Sequence, residues 1–189
     1  MKIDLSDKYR GSLLGLAIGD ALGVPAEFKK VGTFEPVSDF RDSDWFDLPA
    51  GHWSDDTAMA LCLANSLIEK GGFNPVDQIE KYKKWLETGY CSSTGKAIGV
   101  GQTILRALLT YRSGDNPYVS ISSRESDGNG SLMRLAPIPL CFRSNPEKAM
   151  ENAELSSKIT HGSQLCGDAC KYYTGLIIGA LNGVAKKEL

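Results

Sequence analysis

Gly51-His52-Trp53-Ser54-Asp55-Asp56-Thr57 runs directly into Met59, Leu63 and Leu67, an apolar repeat at every fourth position. That repeat is one face of an α-helix. Ser54 to Thr57 therefore form its cap and first turn, where free backbone N–H groups and the positive end of the helix dipole meet. Two readings of this cluster stand side by side. In one, Ser54 or Asp55 is an N-cap, worth about 1 kcal/mol. In the other, a hydroxyl and two carboxylates crowd into three positions because they are hard-oxygen donors for Mg²⁺, Mn²⁺ or Ca²⁺ rather than zinc.

Toward the N-terminus, Tyr9 to Leu22 carries Leu13, Leu14, Ala17, Ile18, Ala21 and Leu22 with helical spacing. Gly11, Gly15, Gly19 and Gly23 form a stripe along it, and each interior glycine costs helix stability, up to about 1 kcal/mol relative to Ala. The stripe predicts a second backbone packed close to this helix. Gly23 and Pro25 end it, and Glu27 follows in a loop. Val31 to Ala50 lacks periodicity and reads as a long loop, a length often tied to function.

Toward the C-terminus, helical segments recur. Helix two spans about Asp55 to Lys70 and stops at Gly71-Gly72. Asn74-Pro75 caps a third helix presenting Val76, Ile79, Tyr82 and Leu86, closed by Gly89. Ser93-Thr94-Gly95-Lys96 superficially suggests a phosphate loop. Its spacing from Gly89 is one residue too long, Ala97 replaces the hydroxyl and a helix precedes it, so that reading fails. Further helices are expected at about Val100 to Arg112, in a short piece after Pro137 and Pro139, from Asn145-Pro146, and from about Ser163 to Ala185. Asn116 to Gly130 is a polar loop whose Asp127-Gly128-Asn129-Gly130 can turn sharply and expose N–H groups to a ligand, or simply join two helices. No useful stretch alternates with period two. The fold class is all-α.

At 189 residues with net charge −2, one domain spanning 1–189 is expected, with no basic patch for nucleic acid. Leu13 to Val24 is interrupted by Asp20 and is too short to span a bilayer. Its flanks lack a signal-peptide pattern, so a cytoplasmic location is expected. Five cysteines (Cys62, Cys91, Cys141, Cys166, Cys170) without C-x-x-C spacing read as reduced thiols. Cys166, Cys170 and His161 make only a weak zinc pattern.

Four segments together resemble the ADP-ribosylglycohydrolase family: GSLLGLAIGDALGVPAE (11–27), GHWSDDTAM (51–59), GNGSLMRLAPI (128–138) and Thr160-His161-Gly162. The resemblance implies a compact orthogonal bundle of helices. It also implies metal-dependent removal of ADP-ribose from a modified protein or small acceptor, with two Mg²⁺ (or Mn²⁺) ions. Carried over residue by residue, Ser54, Asp55 and Asp56 are metal ligands, and Glu27, Asp55 and Asp56 are the catalytic carboxylates. Gly128, Asn129, Gly130, Ser131, Met133 and His161 hold the ADP-ribose. Carboxylates suit the positive charge that builds at an anomeric carbon during glycosidic cleavage.

Two departures matter. The family's second acidic motif, D-x-D-[S/T], is missing after His161, so the chain reads as C-terminally truncated. Gly99 stands where the family usually has aspartate. They predict poor hydrolysis by this chain, restored when Gly99→Asp is combined with extension to family length. They also predict weak metal binding and an uncovered surface open to self-association or a complementing chain. The alternative is a non-catalytic ADP-ribose-binding or regulatory protein of the same fold; a blander one is an all-α interaction module.

Overall fold

The computed structural model describes residues 4–119 and 127–189. Among them are seven α-helices and no strand: α1 (Leu5–Gly23), α2 (Asp55–Lys70), α3 (Pro75–Thr88), α4 (Gln102–Thr110), α5 (Pro137–Cys141), α6 (Pro146–Lys158) and α7 (Gln164–Leu181). The only pairing of extended backbone among the described residues is an isolated bridge between Ser43 and Leu48, within the expected long loop. No helix among the described residues is long and apolar enough to cross a membrane. The part of the Asn116–Gly130 loop at 120–126 lies outside the described residues.

α2 is the central element. It buries Ala58, Met59, Ala60, Cys62, Leu63, Ser66 and Leu67, more than the single stripe its every-fourth spacing suggests. Ala58, Met59 and Cys62 face Ile79, Tyr82 and Trp85 of α3, Ile104 and Leu108 of α4, and Tyr111 and Ile159. Leu63 and Leu67 face Leu135, Ile138, Ala153 and Cys170 on the other side. Each fully buried aliphatic side chain contributes about 1.5–3 kcal/mol, so both halves of the core lean on this helix. Its C-terminus is closed by Gly71 at φ 64°, with Gly72 N–H donating to Leu67 O at 3.0 Å. A left-handed C-cap of this kind is where glycine avoids a Cβ penalty.

The N-terminus of α2 is capped from another helix. Ser54 occupies the cap position, yet its side chain accepts nothing from its own first turn. The Asp20 carboxylate, near the end of α1, accepts instead from Ser54 N (3.1 Å), Ser54 Oγ (2.7 Å), Thr57 N (3.0 Å) and Thr57 Oγ1 (2.7 Å). The acid that interrupts the apolar run of α1 is thus the fastener between α1 and α2.

The glycine stripe has no close neighbour. A Cβ built on Gly11, Gly15, Gly19 or Gly23 meets nothing within 4 Å. α1 buries only Ala21, and it leaves Leu14 59% and Ile18 48% exposed. The expectation of a second backbone against the stripe is not met within the described residues, because α1 meets the body mainly through its C-terminal turn.

Asp20→Ala removes a carboxylate accepting from four donors on another element. It should lower unfolding stability by about 2–3 kcal/mol, against about 1 kcal/mol for loss of an ordinary cap. Urea unfolding of the two proteins checks this; an effect below that of an ordinary cap would overturn it.

Candidate active site

Because Asp20 does the capping, the carboxylates of the first turn of α2 are left for other work. Asp55 is only 6% exposed. Burial, then the neighbouring Asp56, Glu27 and Asp20 charges, push its carboxyl up to about 8 against an opposing backbone hydrogen bond. Asp56 is pushed up to about 6 by burial, Asp20 and Glu27. Glu27 follows the 3₁₀ turn Val24–Ala26, where Pro25 sets the chain's turn and Glu27 N–H donates to Val24 O at 3.3 Å. It is half-buried, and burial followed by Asp20 raises it too. Four carboxylates from the end of α1, the turn after it and the start of α2 thus repel one another. No lysine, arginine or histidine figures among the causes of these shifts.

That environment favours either a proton or a cation. The donors fit a hard divalent ion in kind. They do not close a site in number: among the described residues, no group of three or more His, Cys, Asp or Glu side chains is arranged to hold a metal. The carboxylates feel one another's charge without converging on one point. A cation here needs donors from beyond this set.

Gly99 lies directly on this cluster. It takes φ 79°, and a Cβ there would stand 2.4 Å from Asp55 Oδ1 and 3.4 Å from Ser54 Cβ. The 89–101 loop is tied down beside it, with Ser93 Oγ donating to Trp53 O (2.8 Å) and Trp53 Nε1 donating to Cys91 O (3.1 Å). Gly99 is thus a neighbour of Asp55 and Ser54. Exchange for aspartate is nevertheless more than a restored side chain. The left-handed backbone and the Asp55 contact both oppose it, so either the loop or Asp55 must shift.

The second group of residues gathers around His161. This ring is 1% exposed, and its Nδ1 lies 2.8 Å from Thr160 Oγ1. Arg134, also fully buried, donates from Nη2 to Thr160 Oγ1 at 2.7 Å and to Ser156 O at 3.3 Å. A guanidinium only donates, so the threonine oxygen accepts from it, while the direction of its hydrogen bond with Nδ1 is set by the ring tautomer. Burial and the Arg134 charge hold His161 down at about 4, against a smaller pull from Asp127, so the ring is neutral at ordinary pH.

The ring packs on the glycine loop. A Cβ on Gly130 would stand 2.9 Å from His161 Cε1 and 2.8 Å from Ile104 Cδ1, while one on Gly128 would lie at ordinary contact, 3.5 Å from Nε2. Asn129 is exposed and opens a 3₁₀ turn, its C=O accepting from Leu132 N and Met133 N at 2.9 Å each. Ser131 is buried, and its hydroxyl accepts from Ser157 Oγ at 2.8 Å. Met133 packs partly buried against the α2–α3–α4 core. Asp127, Gly128, Asn129, Ser131, Leu132, Leu165, Cys166 and Ala169 line a cleft of about 180 Å³. Ligand pockets usually run about 300–1,000 Å³, so this cleft is smaller than a typical complete ligand site. Ile104, which approaches both Gly101 and Gly130, links the acidic cluster's loop to this one.

The family model for ADP-ribosylglycohydrolase matches residues 1–189. The chain belongs to the ADP-ribosylglycohydrolase family. It is 32% identical over 182 residues to the ADP-ribosylarginine hydrolase Tri1 of Pseudomonas putida, covering 96% of this chain and 49% of that protein. It is 30% identical to the ADP-ribosyl-[dinitrogen reductase] glycohydrolase of Rhodospirillum rubrum (87% of this chain, 54% of that one). With human ADP-ribosylhydrolase ARH3 it shares 30% identity (92% and 48%). A solved ADP-ribosylglycohydrolase-related protein complex superposes with TM-score 0.83 at 36% identity, covering 97% of this chain and 59% of that one. The chain therefore spans about half the length of the curated relatives it matches. The family is generally metal-dependent.

Sequence reasoning missed the roles of Asp20, Thr57, Arg134 and Thr160. Asp20 left a signal: one acid inside an otherwise apolar helical repeat. Arg134 left another, as a cation inside the apolar run from Leu132 to Leu140. Neither pattern names a partner, which only the fold supplies.

Two outcomes follow. In metal-free buffer at pH 8, the Asp55→Asn, Asp56→Asn double variant should be more stable than the parent by about 2 kcal/mol, since it removes buried charges that repel. Both carboxyls are raised in the folded state, so they favour folding when protonated and that stability is lost as pH climbs from 3.8 through about 6 and about 8. The advantage of the variant should therefore vanish by pH 4, as thermal midpoints across that range would reveal. Separately, Gly130→Ala should cost about 1–3 kcal/mol by overpacking against His161 and Ile104. Gly11→Ala should instead be neutral or stabilising, and equal effects at the two sites would contradict the packing described.

Proposed function

We propose that this chain contributes the acidic cluster and the glycine loop of a site for ADP-ribosyl groups, and that its reaction class is hydrolysis of the bond joining ADP-ribose to an acceptor. The observation that carries this reading is the first turn of α2. It is capped from outside by Asp20, so Asp55, buried, and Asp56, half-buried, repel each other with no ion-pair partner among the described residues. Such strain persists where function requires it.

Under this reading Ser54, Asp55 and Asp56 are the chain's donors to a divalent ion, Mg²⁺ or Mn²⁺. Ser54 Oγ donates its proton to Asp20, which leaves lone pairs on the hydroxyl oxygen. A divalent ion held there would supply charge neutralisation and orient ribose hydroxyls and water. Glu27, half-buried beside them, is suited to hold a water or substrate hydroxyl. The pyrophosphate would meet backbone N–H groups of the Gly128–Met133 turn without a basic patch. Neutral His161, with Nε2 on the Gly128 side, would fix that loop and face the ribose.

A second reading, binding without turnover, is supported by Gly99. With no side chain, it supplies neither a proton nor a metal donor beside Asp55. Losing a positioned acid–base group costs about 10²–10⁴-fold. The open apolar face of α1 further supports a complementing protein surface, from a second chain or from the stretch of the relatives that this chain does not span.

Calorimetry with ADP-ribose should give weak, saturable heat, abolished by Gly130→Trp, which fills the loop. Hydrolysis of an ADP-ribosylated arginine or serine peptide should be at least about 10²-fold slower than by a version extended to the relatives' length. Heat without any turnover in either version favours the binding protein. No heat and no turnover in the extended version would remove the ADP-ribosyl reading. Because Asp55 and Asp56 must shed protons to take a cation, Mg²⁺ or Mn²⁺ stabilisation should grow between pH 5 and 8 and be lost in the double asparagine variant.

A further inference from the structure

A second chemically loaded place lies on the flank of α2, away from the carboxylates. Cys62, on α2, is fully buried, while Cys91 is half-exposed in the loop after α3. Both belong to one packed cluster. Cys62 Sγ lies 3.9 Å from Tyr90 O, on the residue just before Cys91, and the Cys91 sulfur is near enough to raise the Cys62 thiol. Asn65, one turn along α2 from Cys62, donates from Nδ2 to Cys91 Sγ at 3.4 Å and to Tyr90 Oη at 2.9 Å. Cys91 itself adopts φ 63°. A non-glycine residue is disfavoured there, so the turn that brings its sulfur to α2 runs against backbone preference. The Lys84 ammonium stands 4.3 Å from the centre of the Tyr90 ring, and that of Lys81 at 6.0 Å.

We propose that Cys62 and Cys91 form an oxidisable pair, in which Cys91 reacts with a peroxide and Cys62 resolves it to a disulfide joining α2 to the 89–101 loop.

The environment divides the roles. Donation from Cys62, Tyr90 and Asn65 and the Lys81 charge lower the Cys91 thiol, while the same contact and burial raise Cys62. The thiolate is the nucleophile, and a low-pKa, reachable thiol beside a resolving one is the pattern of redox-responsive cysteines. In the first step the Cys91 thiolate attacks one oxygen of hydrogen peroxide. The O–O bond breaks, and the departing hydroxide leaves as water with the proton that Cys91 gave up. In the second, the Cys62 sulfur attacks the Cys91 sulfenic acid, the S–O bond breaks, and that hydroxide takes the Cys62 proton as a second water. Two thiols are oxidised to one disulfide, and one peroxide is reduced to two waters.

Position gives the modification a consequence. Cys91 O accepts the Trp53 indole N–H, Ser93 holds Trp53 O, and Gly99 of the same loop rests on Asp55. The crosslink would fix this loop over the start of α2.

The test treats the full chain with one equivalent of hydrogen peroxide and maps it by non-reducing digestion and mass spectrometry. The expected product is a peptide linking Cys62 to Cys91, with intact mass lower by two hydrogen atoms. Before oxidation at neutral pH, iodoacetamide should label Cys91 about 10-fold faster than exposed Cys141, whose thiol burial raises. Cys62→Ala should stop at a Cys91 sulfenic acid captured by dimedone; the mapping of the unsubstituted chain decides the matter even where that variant does not fold. Oxidation confined to Cys141, a Cys166–Cys170 link with Cys62 and Cys91 still reduced, or no reaction would each overturn the proposal.

Discussion

Everything at the candidate site depends on one carboxylate that does not belong to it. Asp20, carried on α1, accepts from both the backbone and the hydroxyl groups of Ser54 and Thr57. A helix start normally satisfies its free N–H groups with its own cap residue. Here a neighbour does so, which has two effects. It fastens an otherwise exposed helix to the central one, and it takes the capping of Ser54 and Thr57 away from Asp55 and Asp56. The helix dipole favours negative charge at this end, but not enough to offset burial and mutual repulsion, as the raised carboxyls of Asp55 and Asp56 show.

The fold was largely legible because each helix announces its own ends. Asn74-Pro75 and Asn145-Pro146 cap α3 and α6, with Asn74 accepting from Asp77 N and Asn145 from Lys148 N. Gly71 and Gly89 close α2 and α3 in left-handed turns. Such signals are local, so a single sequence carries them. α1 instead starts at Leu5, earlier than its apolar repeat, because Asp4 caps it through Asp7 N.

What the sequence hides is which residue meets which across distance. Six of the glycines make the point in two groups. Gly11, Gly15, Gly19 and Gly23 are regular and attract notice, yet each has open space where a Cβ would go. Gly99 and Gly130 are irregular, yet one is pressed on Asp55 and the other on His161 and Ile104. Periodicity reports helical geometry, whereas crowding depends on tertiary approach. The candidate site residues stand out through their combined motifs, while Asp20 and Arg134, which bond to their neighbours, have partners far along the chain that spacing alone does not identify.

Charge placement explains why the acidic cluster stays unsatisfied. Arg134 is buried in the same molecule and would be its natural counter-ion. Instead its guanidinium lies 4.5 Å from the centre of the Tyr82 ring and donates to Ser156 O and Thr160 Oγ1, with no carboxylate partner among the described residues. Were it to reach Asp55 or Asp56, the opposite charge would lower their carboxyls. Held behind Thr160, it instead adds to burial in keeping His161 neutral. The ion pairs that do form, such as Lys81 with Glu69 and Lys171 with Glu154, belong to surface-reaching side chains away from the first turn of α2. Positive charge is thus committed on the histidine side and withheld from the carboxylate side, an arrangement that leaves the raised carboxyls of Asp55 and Asp56 without a counter-charge from Arg134.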